Sequence, residues 1–209
     1  MGILESLQNS GFATWVRESP SLLAYQLYIT LHAIGLGMVV GISAGICFRI
    51  LGVAAALPLA PMEKYLRFMW IGFWVNAVSG VVLFILEPIK FLTIPIFYIK
   101  LGAIALAIVM MLKISNQVFR DPAVQAGRPP TKGKGFAAVT LAAWAVAIFT
   151  GRVSAYDAYI QVETGIAVLV VGIVVAIVGA IVARRVSLAA DAREAGSARA
   201  AAGARRSHA

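Results

Sequence analysis

The fold is decided by a stretch near the amino terminus, residues 22–48, which reads LLAYQLYITLHAIGLGMVVGISAGICF. It contains no Asp, Glu, Lys or Arg, and it exceeds the roughly 20 apolar residues that a helix needs to cross a bilayer. The stretch therefore predicts a membrane-spanning helix. Its one histidine, His32, indicates a functional site, because an ionisable side chain is costly to bury in hydrocarbon.

The rest of the chain has the composition of a membrane protein. Hydrophobic residues make up 61% of it and charged residues 13%, and its mean hydropathy is +0.89. Four further apolar runs predict spans at residues 66–86, 94–112, 136–150 and 164–183. We therefore expect an all-α integral membrane protein, a bundle of five transmembrane helices within residues 21–183.

The two ends of the chain differ from this bundle. Residues 1–20 contain an amphipathic segment from Ile3 to Glu18, with Trp15 beside Arg17, and this pattern predicts a helix lying in the membrane interface. Residues 184–209 form a basic tail rich in Ala and Arg.

The placement of Lys and Arg predicts the orientation. The amino-terminal segment holds one, the successive loops hold three, one, five and one, and the tail holds six. By the positive-inside rule this alternation places the amino terminus outside and the carboxyl terminus in the cytoplasm. The net charge of +9 thus reflects membrane topology and not nucleic-acid binding. The third loop, Arg120 to Gly135, is expected to be irregular, and with the tail it favours contact with anionic lipids.

Small residues predict how the helices pack. Gly37, Gly41 and Gly45 recur every four residues on the first span and lie roughly opposite His32, so we expect this strip to pack against a neighbouring helix. Cys47, the sole cysteine, is predicted to be a packing residue. A second set of small and polar residues shares one face of the second span: Gly72, Asn76, Gly80 and Leu83.

The predicted orientation brings ionisable residues to the outer half of the bundle. His32 and Lys100 lie in the outer parts of their spans, Arg152 lies at the outer end of the fourth, and Glu87 at the outer end of the second. An imidazole beside two cations suits an anionic ligand. Haem b is one such ligand, with His32 on the metal and the propionates paired to Lys100 and Arg152.

A plainer interpretation stands beside this one. Lys100 and Arg152 could extend to the lipid headgroups and pair at most with Glu87 or Asp157. His32 could form a hydrogen bond with a carbonyl group of a neighbouring helix.

Several short motifs also resemble a family of small, functionally uncharacterised bacterial inner-membrane proteins. The resemblance extends from about Trp15 to Tyr156 and rests on the order and spacing of the motifs. These are Thr30-Leu31-His32, Arg49-Ile50-Leu51-Gly52, Ser79-Gly80 with Leu83-Phe84, Pro95-Ile96-Phe97 before Lys100, and Gly151-Arg152 with Ala155-Tyr156. It implies a multi-pass protein of the bacterial cytoplasmic (inner) membrane.

More distantly, the chain is similar to the J-type protoporphyrinogen oxidases and to the copper-resistance D-type membrane proteins. That similarity implies a haem-linked or redox role, with His32 as the metal ligand and Lys100 beside the cofactor. The sequence departs from bis-histidine ligation, because no second histidine lies in a span. A sixth ligand would be a methionine, a lysine, water or none, and the candidate methionines are Met38, Met69 and Met110.

Three hypotheses of function follow. The first is a haem-b-binding redox enzyme or electron-transfer subunit. The second is a structural or anchoring subunit of a larger membrane complex, or a homo-oligomer, with the glycine strip as a contact surface. The third, a small transporter or channel, lacks an internal repeat or an intramembrane carboxylate to support it. Zinc-protease, phosphate-loop and CxxC motifs are also missing from the sequence.

Overall fold

The computed structural model describes residues 2–130 and 132–154, together with Ile166, Ala167 and Val170. Residue contacts divide the chain into two units, Met1–Val168 and Leu169–Ala209, and the first is the one described below. Most of the predicted fifth span and the whole basic tail, including His208, lie outside the described residues.

The described chain is entirely helical, with no strand in residues 2–130 or 132–154. The helices in chain order are α1 (Ile3–Gln8), α2 (Gly11–Glu18), α3 (Tyr25–Ile50), α4 (Leu66–Leu86), α5 (Pro88–Thr93), α6 (Pro95–Lys113), α7 (Pro122–Gln125) and α8 (Lys134–Val153). A 3₁₀ turn, Ala60–Tyr65, precedes α4, and a π-helical turn, Ile114–Val118, continues α6.

Four of these segments are long and apolar enough to cross a membrane: Tyr25–Ile50, Ala60–Leu86, Pro95–Val118 and Lys134–Val153. Between 17% and 39% of each apolar window is buried inside the protein, so most of its surface faces outward. Large apolar side chains such as Trp74 and Val78, each 62% exposed, cover that surface and suit contact with lipid. The predictions of an all-α fold and of a multi-pass membrane protein are confirmed to this extent.

Proline sets two of the helix boundaries, as the sequence indicates. Pro88 follows the end of α4 and opens α5, and Pro95 is the first residue of α6. A proline is tolerated in the first turn because its missing N–H would have no intrahelical partner there.

The amino-terminal segment differs from the prediction, since it forms two helices and not one. Ser10 separates them and caps α2 by accepting a hydrogen bond from the backbone N–H of Ala13 at 3.3 Å. Ala13 and Val16 are fully buried and pack against Leu86 at the end of α4. The segment is therefore docked on the bundle.

Glycines bring α3 and α4 together, although not the glycines that the sequence pattern favours. A Cβ atom placed on Gly35 would lie 2.6 Å from the backbone nitrogen of Asn76 and 2.8 Å from the carbonyl oxygen of Gly72. A Cβ on Gly37, Gly41 or Gly45 would meet nothing within 4 Å. The strip is exposed, and the predicted packing is not found among the described residues.

The opposite pair of helices, α6 and α8, packs through alanines. Ala103 and Ala107 on α6 and Ala143 and Ala147 on α8 are all at least nine-tenths buried. Cys47 is fully buried in the same core, as predicted for a packing residue.

The loop between α6 and α8 contains a helix that was not predicted, and it contacts the loop between α3 and α4. Asp121 caps the short helix α7, whose Val124 is buried, so the third loop is not wholly irregular. An ion pair of 3.0 Å between Arg120 and Glu63 joins the two loops at one end of the bundle. Near the same end, Arg49 donates hydrogen bonds to the carbonyl groups of Ala55, at 3.0 Å, and Leu57.

Candidate functional site

A cavity of about 740 Å³ lies among α2, α3, α4, α5, α6 and α8. His32, Lys100 and Arg152 all line it, and so does Glu87. The sequence alone could not show that these residues face one another, but the structure brings all four to one cavity. Its volume is in the range of about 300–1,000 Å³ that ligand and cofactor pockets commonly have.

His32 is held from one side by α4. Its Nδ1 atom lies 3.0 Å from the carbonyl oxygen of Asn76, and 3.3 Å from both the hydroxyl oxygen of Ser79 and the amide nitrogen Nδ2 of Asn76. The carbonyl oxygen can only accept, so the shortest of these contacts requires Nδ1 to carry a proton and donate it. Nδ1 of His32 therefore forms the hydrogen bond to a carbonyl group of a neighbouring helix that the plainer interpretation predicts.

The other ring nitrogen of His32 has a different environment. With Nδ1 protonated, a neutral imidazole carries a lone pair on Nε2. No described residue forms a hydrogen bond with Nε2, and the ring lines the cavity. A backbone carbonyl on one ring nitrogen and an open lone pair on the other is the usual arrangement of a metal-binding histidine.

The side chain of Asn76 forms a second hydrogen bond with His32. Its Nδ2 atom donates to the backbone carbonyl of His32 at 2.7 Å, while the His32 ring donates to the carbonyl of Asn76. Each residue thus binds the other's main chain. The sequence placed Asn76 on a shared face with Gly72 and Gly80 but did not identify it as the partner of His32, although an amide in an apolar span is itself a signal.

Lys100 extends from α6 toward α8. Its Cε and Nζ atoms would lie 3.5 and 3.6 Å from a Cβ placed on Gly151, the residue before Arg152. Within the described residues, neither Lys100 nor Arg152 forms an ion pair or a side-chain hydrogen bond. Glu87 is paired with Lys90 at 3.3 Å and not with either of them, and Asp157 lies outside the described residues.

Three phenylalanines form an aromatic wall on the same cavity, a feature that the sequence did not indicate. Phe84 and Phe97 stack with ring centroids 5.8 Å apart, and Phe91 lies 5.4 Å from Phe97. They come from α4, α5 and α6. These rings make one side of the cavity apolar and aromatic.

At the mouth of the cavity Arg17 connects α2 to the bundle. Its guanidinium donates to the carbonyl of Leu86 at 3.2 Å, which satisfies a carbonyl at the end of α4 that has no partner within the helix. Arg17 also lies 3.8 Å from Glu18. It is therefore occupied by protein groups, which sets it apart from Lys100 and Arg152.

The remaining ligand candidates are limited. None of Met38, Met69 and Met110 lines the cavity, and Met69 is 1% exposed in the core. No group of three or more His, Cys, Asp and Glu side chains suited to a metal ion occurs among the described residues. Of these residue types, His32 and Glu87 line the cavity, and Glu87 is paired with Lys90.

Comparisons with known proteins add no assignment. No family model, no curated protein and no solved structure matches this chain. The function is therefore inferred from the geometry of the cavity.

Proposed function

We propose that this protein binds haem b in the cavity, with Nε2 of His32 on the metal, and serves a redox or electron-transfer role in the membrane. The observation that carries the proposal is that the two ring nitrogens of His32 have different environments. Nδ1 is fixed by the Asn76 carbonyl at 3.0 Å, while Nε2 has no hydrogen-bond partner among the described residues. Haem would supply the electron-transfer chemistry, and its potential would depend on its axial ligands and surroundings.

The charges of the cavity support an anionic ligand. Two cations without a described partner, Lys100 and Arg152, lie on the same cavity as the imidazole. A carboxylate paired with either would lower the cost of holding a charge in apolar surroundings. The aromatic wall of Phe84, Phe91 and Phe97 would give apolar contacts to the body of such a ligand.

His32 would be the one histidine that holds the metal. None of the three methionines available by type lines the cavity, and no second histidine is present in a span. A haem held by a single histidine would be able to bind a small molecule as well as to transfer electrons. This favours a redox enzyme or sensor-like subunit over a simple electron carrier.

We place the protein in a bacterial inner membrane with five spans, the amino terminus outside and the tail in the cytoplasm. The positive-inside rule supports this orientation. The ion pair between Arg120 and Glu63 joins the first and third loops at the same end of the bundle, as the proposed topology requires. The basic third loop and tail would then contact anionic lipids.

A second function, as a subunit of a larger membrane complex or a homo-oligomer, is favoured by one observation. The strip of Gly37, Gly41 and Gly45 is exposed and has no atom within 4 Å of a Cβ position among the described residues. Such strips allow another helix to approach closely.

An absorption spectrum tests the first proposal. Protein purified from cells supplied with haem should show a Soret band, which His32→Ala should abolish. The matched control is His208→Ala, which removes the chain's other histidine and should keep the band. Lys100→Gln and Arg152→Gln should retain the band but weaken haem affinity. A colourless wild-type protein, or a full Soret band in His32→Ala, would contradict the proposal.

A further inference from the structure

The contact between His32 and Asn76 is reciprocal and crosses from α3 to α4. The ring of His32 donates to the Asn76 carbonyl at 3.0 Å, and the Asn76 amide donates to the His32 carbonyl at 2.7 Å. Two such bonds between the same pair fix both the distance and the register of the helices at this point. They also fix the direction of the imidazole, because its Nδ1 atom has to face α4.

Gly80 explains how the ring reaches a carbonyl that already belongs to a helix. A helical carbonyl points toward the residue four positions later, so the carbonyl of Asn76 points toward residue 80. A side chain there would cover it. A Cβ on Gly80 would lie 3.0 Å from Cε1 and 3.3 Å from Nδ1 of His32, closer than ordinary contact, so the glycine leaves the space that the ring fills.

Ser79 also lies near Nδ1 of His32, and its hydroxyl group favours the same tautomer. Its hydroxyl lies 2.6 Å from the carbonyl of Val75, to which it donates, and its oxygen lies 3.3 Å from Nδ1 of His32. A hydroxyl whose proton is directed to a carbonyl presents its lone pairs elsewhere. It is therefore a second acceptor for the Nδ1 proton.

We infer that Asn76 and Gly80 are positioning residues that hold His32 as the Nδ1–H tautomer, so that its cavity ligand must be an acceptor of the Nε2 lone pair, either a metal centre or an N–H or O–H group. This inference rests on the proposed function for the identity of that acceptor as a metal centre. The inference goes beyond the proposed function because it excludes, as partners of Nε2, groups that have only lone pairs to offer. Carbonyl and carboxylate oxygens are groups of that kind, and in this cavity they would bind to Lys100 and Arg152 instead.

The tautomer can be measured without any ligand. The chain has two histidines, so a His208→Ala background labelled with ¹⁵N-histidine reports on His32 alone. The ¹⁵N spectrum of the ligand-free protein should show a protonated Nδ1 and an unprotonated Nε2. A protonated Nε2 in the wild-type sequence would overturn the inference whether or not haem binds.

Two variants test the positioning residues. Asn76→Leu leaves the backbone carbonyl that accepts from Nδ1 but removes the amide that holds the His32 backbone against it, and Gly80→Ala places a methyl group against the ring. Each should produce a mixture of tautomers and weaken binding of added haem about tenfold or more, the lower end of what loss of a ligand's supporting hydrogen bond costs. Gly41→Ala is the matched control, because its methyl group would meet nothing described within 4 Å.

The outcomes separate the two proposals. If both variants keep the wild-type tautomer and haem affinity, Asn76 and Gly80 are not positioning residues. If the wild-type ring is the Nδ1–H tautomer and both variants disturb it while haem fails to bind, the positioning role stands and the haem assignment falls.

Discussion

Replacing Gly35 with alanine should push α3 and α4 apart. The added Cβ would lie 2.6 Å from the backbone nitrogen of Asn76 and 2.8 Å from the carbonyl oxygen of Gly72. Both atoms belong to the α4 backbone, so no flexible side chain can move aside. Ordinary contact begins near 3.4 Å, and the helices would have to separate by about 0.8 Å at this point to reach it.

That separation can be converted into lost interactions. If it acts along the contacts between the helices, the Asn76–His32 bond would lengthen from 2.7 to about 3.5 Å and the His32–Asn76 bond from 3.0 to about 3.8 Å. Overpacking costs about 1–3 kcal/mol, and each interhelical hydrogen bond in a membrane is worth about 0.6 kcal/mol on average. Gly35→Ala should therefore lower the free energy of unfolding by about 2–4 kcal/mol.

Gly37→Ala provides the matched control two residues along the same helix. Its methyl group would meet nothing within 4 Å among the described residues, and alanine favours a helix over glycine by about 1 kcal/mol. This variant should be as stable as the wild type or slightly more so.

Reversible unfolding in mixed micelles, titrated with a denaturing detergent and followed by circular dichroism, would measure both variants. Equal stability of Gly35→Ala and Gly37→Ala would refute the close approach of α3 and α4. Instability of Gly37→Ala would instead indicate that a helix outside the described residues, or another chain, packs on that strip.

Two further predictions concern the end of the bundle where the first and third loops meet, and the same unfolding titration checks both. Arg49→Met keeps the apolar stem but removes hydrogen bonds to the carbonyl groups of Ala55 and Leu57, so it should cost about 2 kcal/mol; an unchanged midpoint would show that these bonds do not hold the loop. Glu63→Gln breaks the exposed ion pair with Arg120 and should cost less than about 1 kcal/mol, because solvent screens such pairs; a larger loss would mean that this ion pair is a structural clamp.

The boundaries of the spans could be predicted from the sequence because they depend on local chemistry. Pro88 and Pro95 interrupt the backbone hydrogen bonding wherever the helices pack, and both mark boundaries in the structure. The split between α1 and α2 at Ser10 is also local, but it needed a capping geometry that one residue type does not specify.

The orientation of α3 could not be predicted in the same way. The helix is apolar on all sides, so no contrast between a polar and an apolar face shows which side meets a neighbour. The spacing of Gly37 and Gly41 gave their angle relative to His32 correctly, yet it could not show that Gly35 is the glycine facing α4. A repeat of small residues indicates that one side of a helix is smooth. It does not indicate whether that side faces lipid or protein.

The site depends on the same interface, and this explains why it was only half visible in the sequence. His32 stood out because it is ionisable, whereas its partner Asn76 belongs to another helix whose register only the packing sets. The close approach at Gly35 and Gly72 brings the two main chains near enough for the His32 and Asn76 side chains to exchange hydrogen bonds. Nδ1 of the imidazole then binds α4, and Nε2 remains available to a ligand in the cavity. Loosening the helix contact would therefore weaken ligand binding without touching any atom that the ligand meets, since the direction of Nε2 is a consequence of where Nδ1 is held.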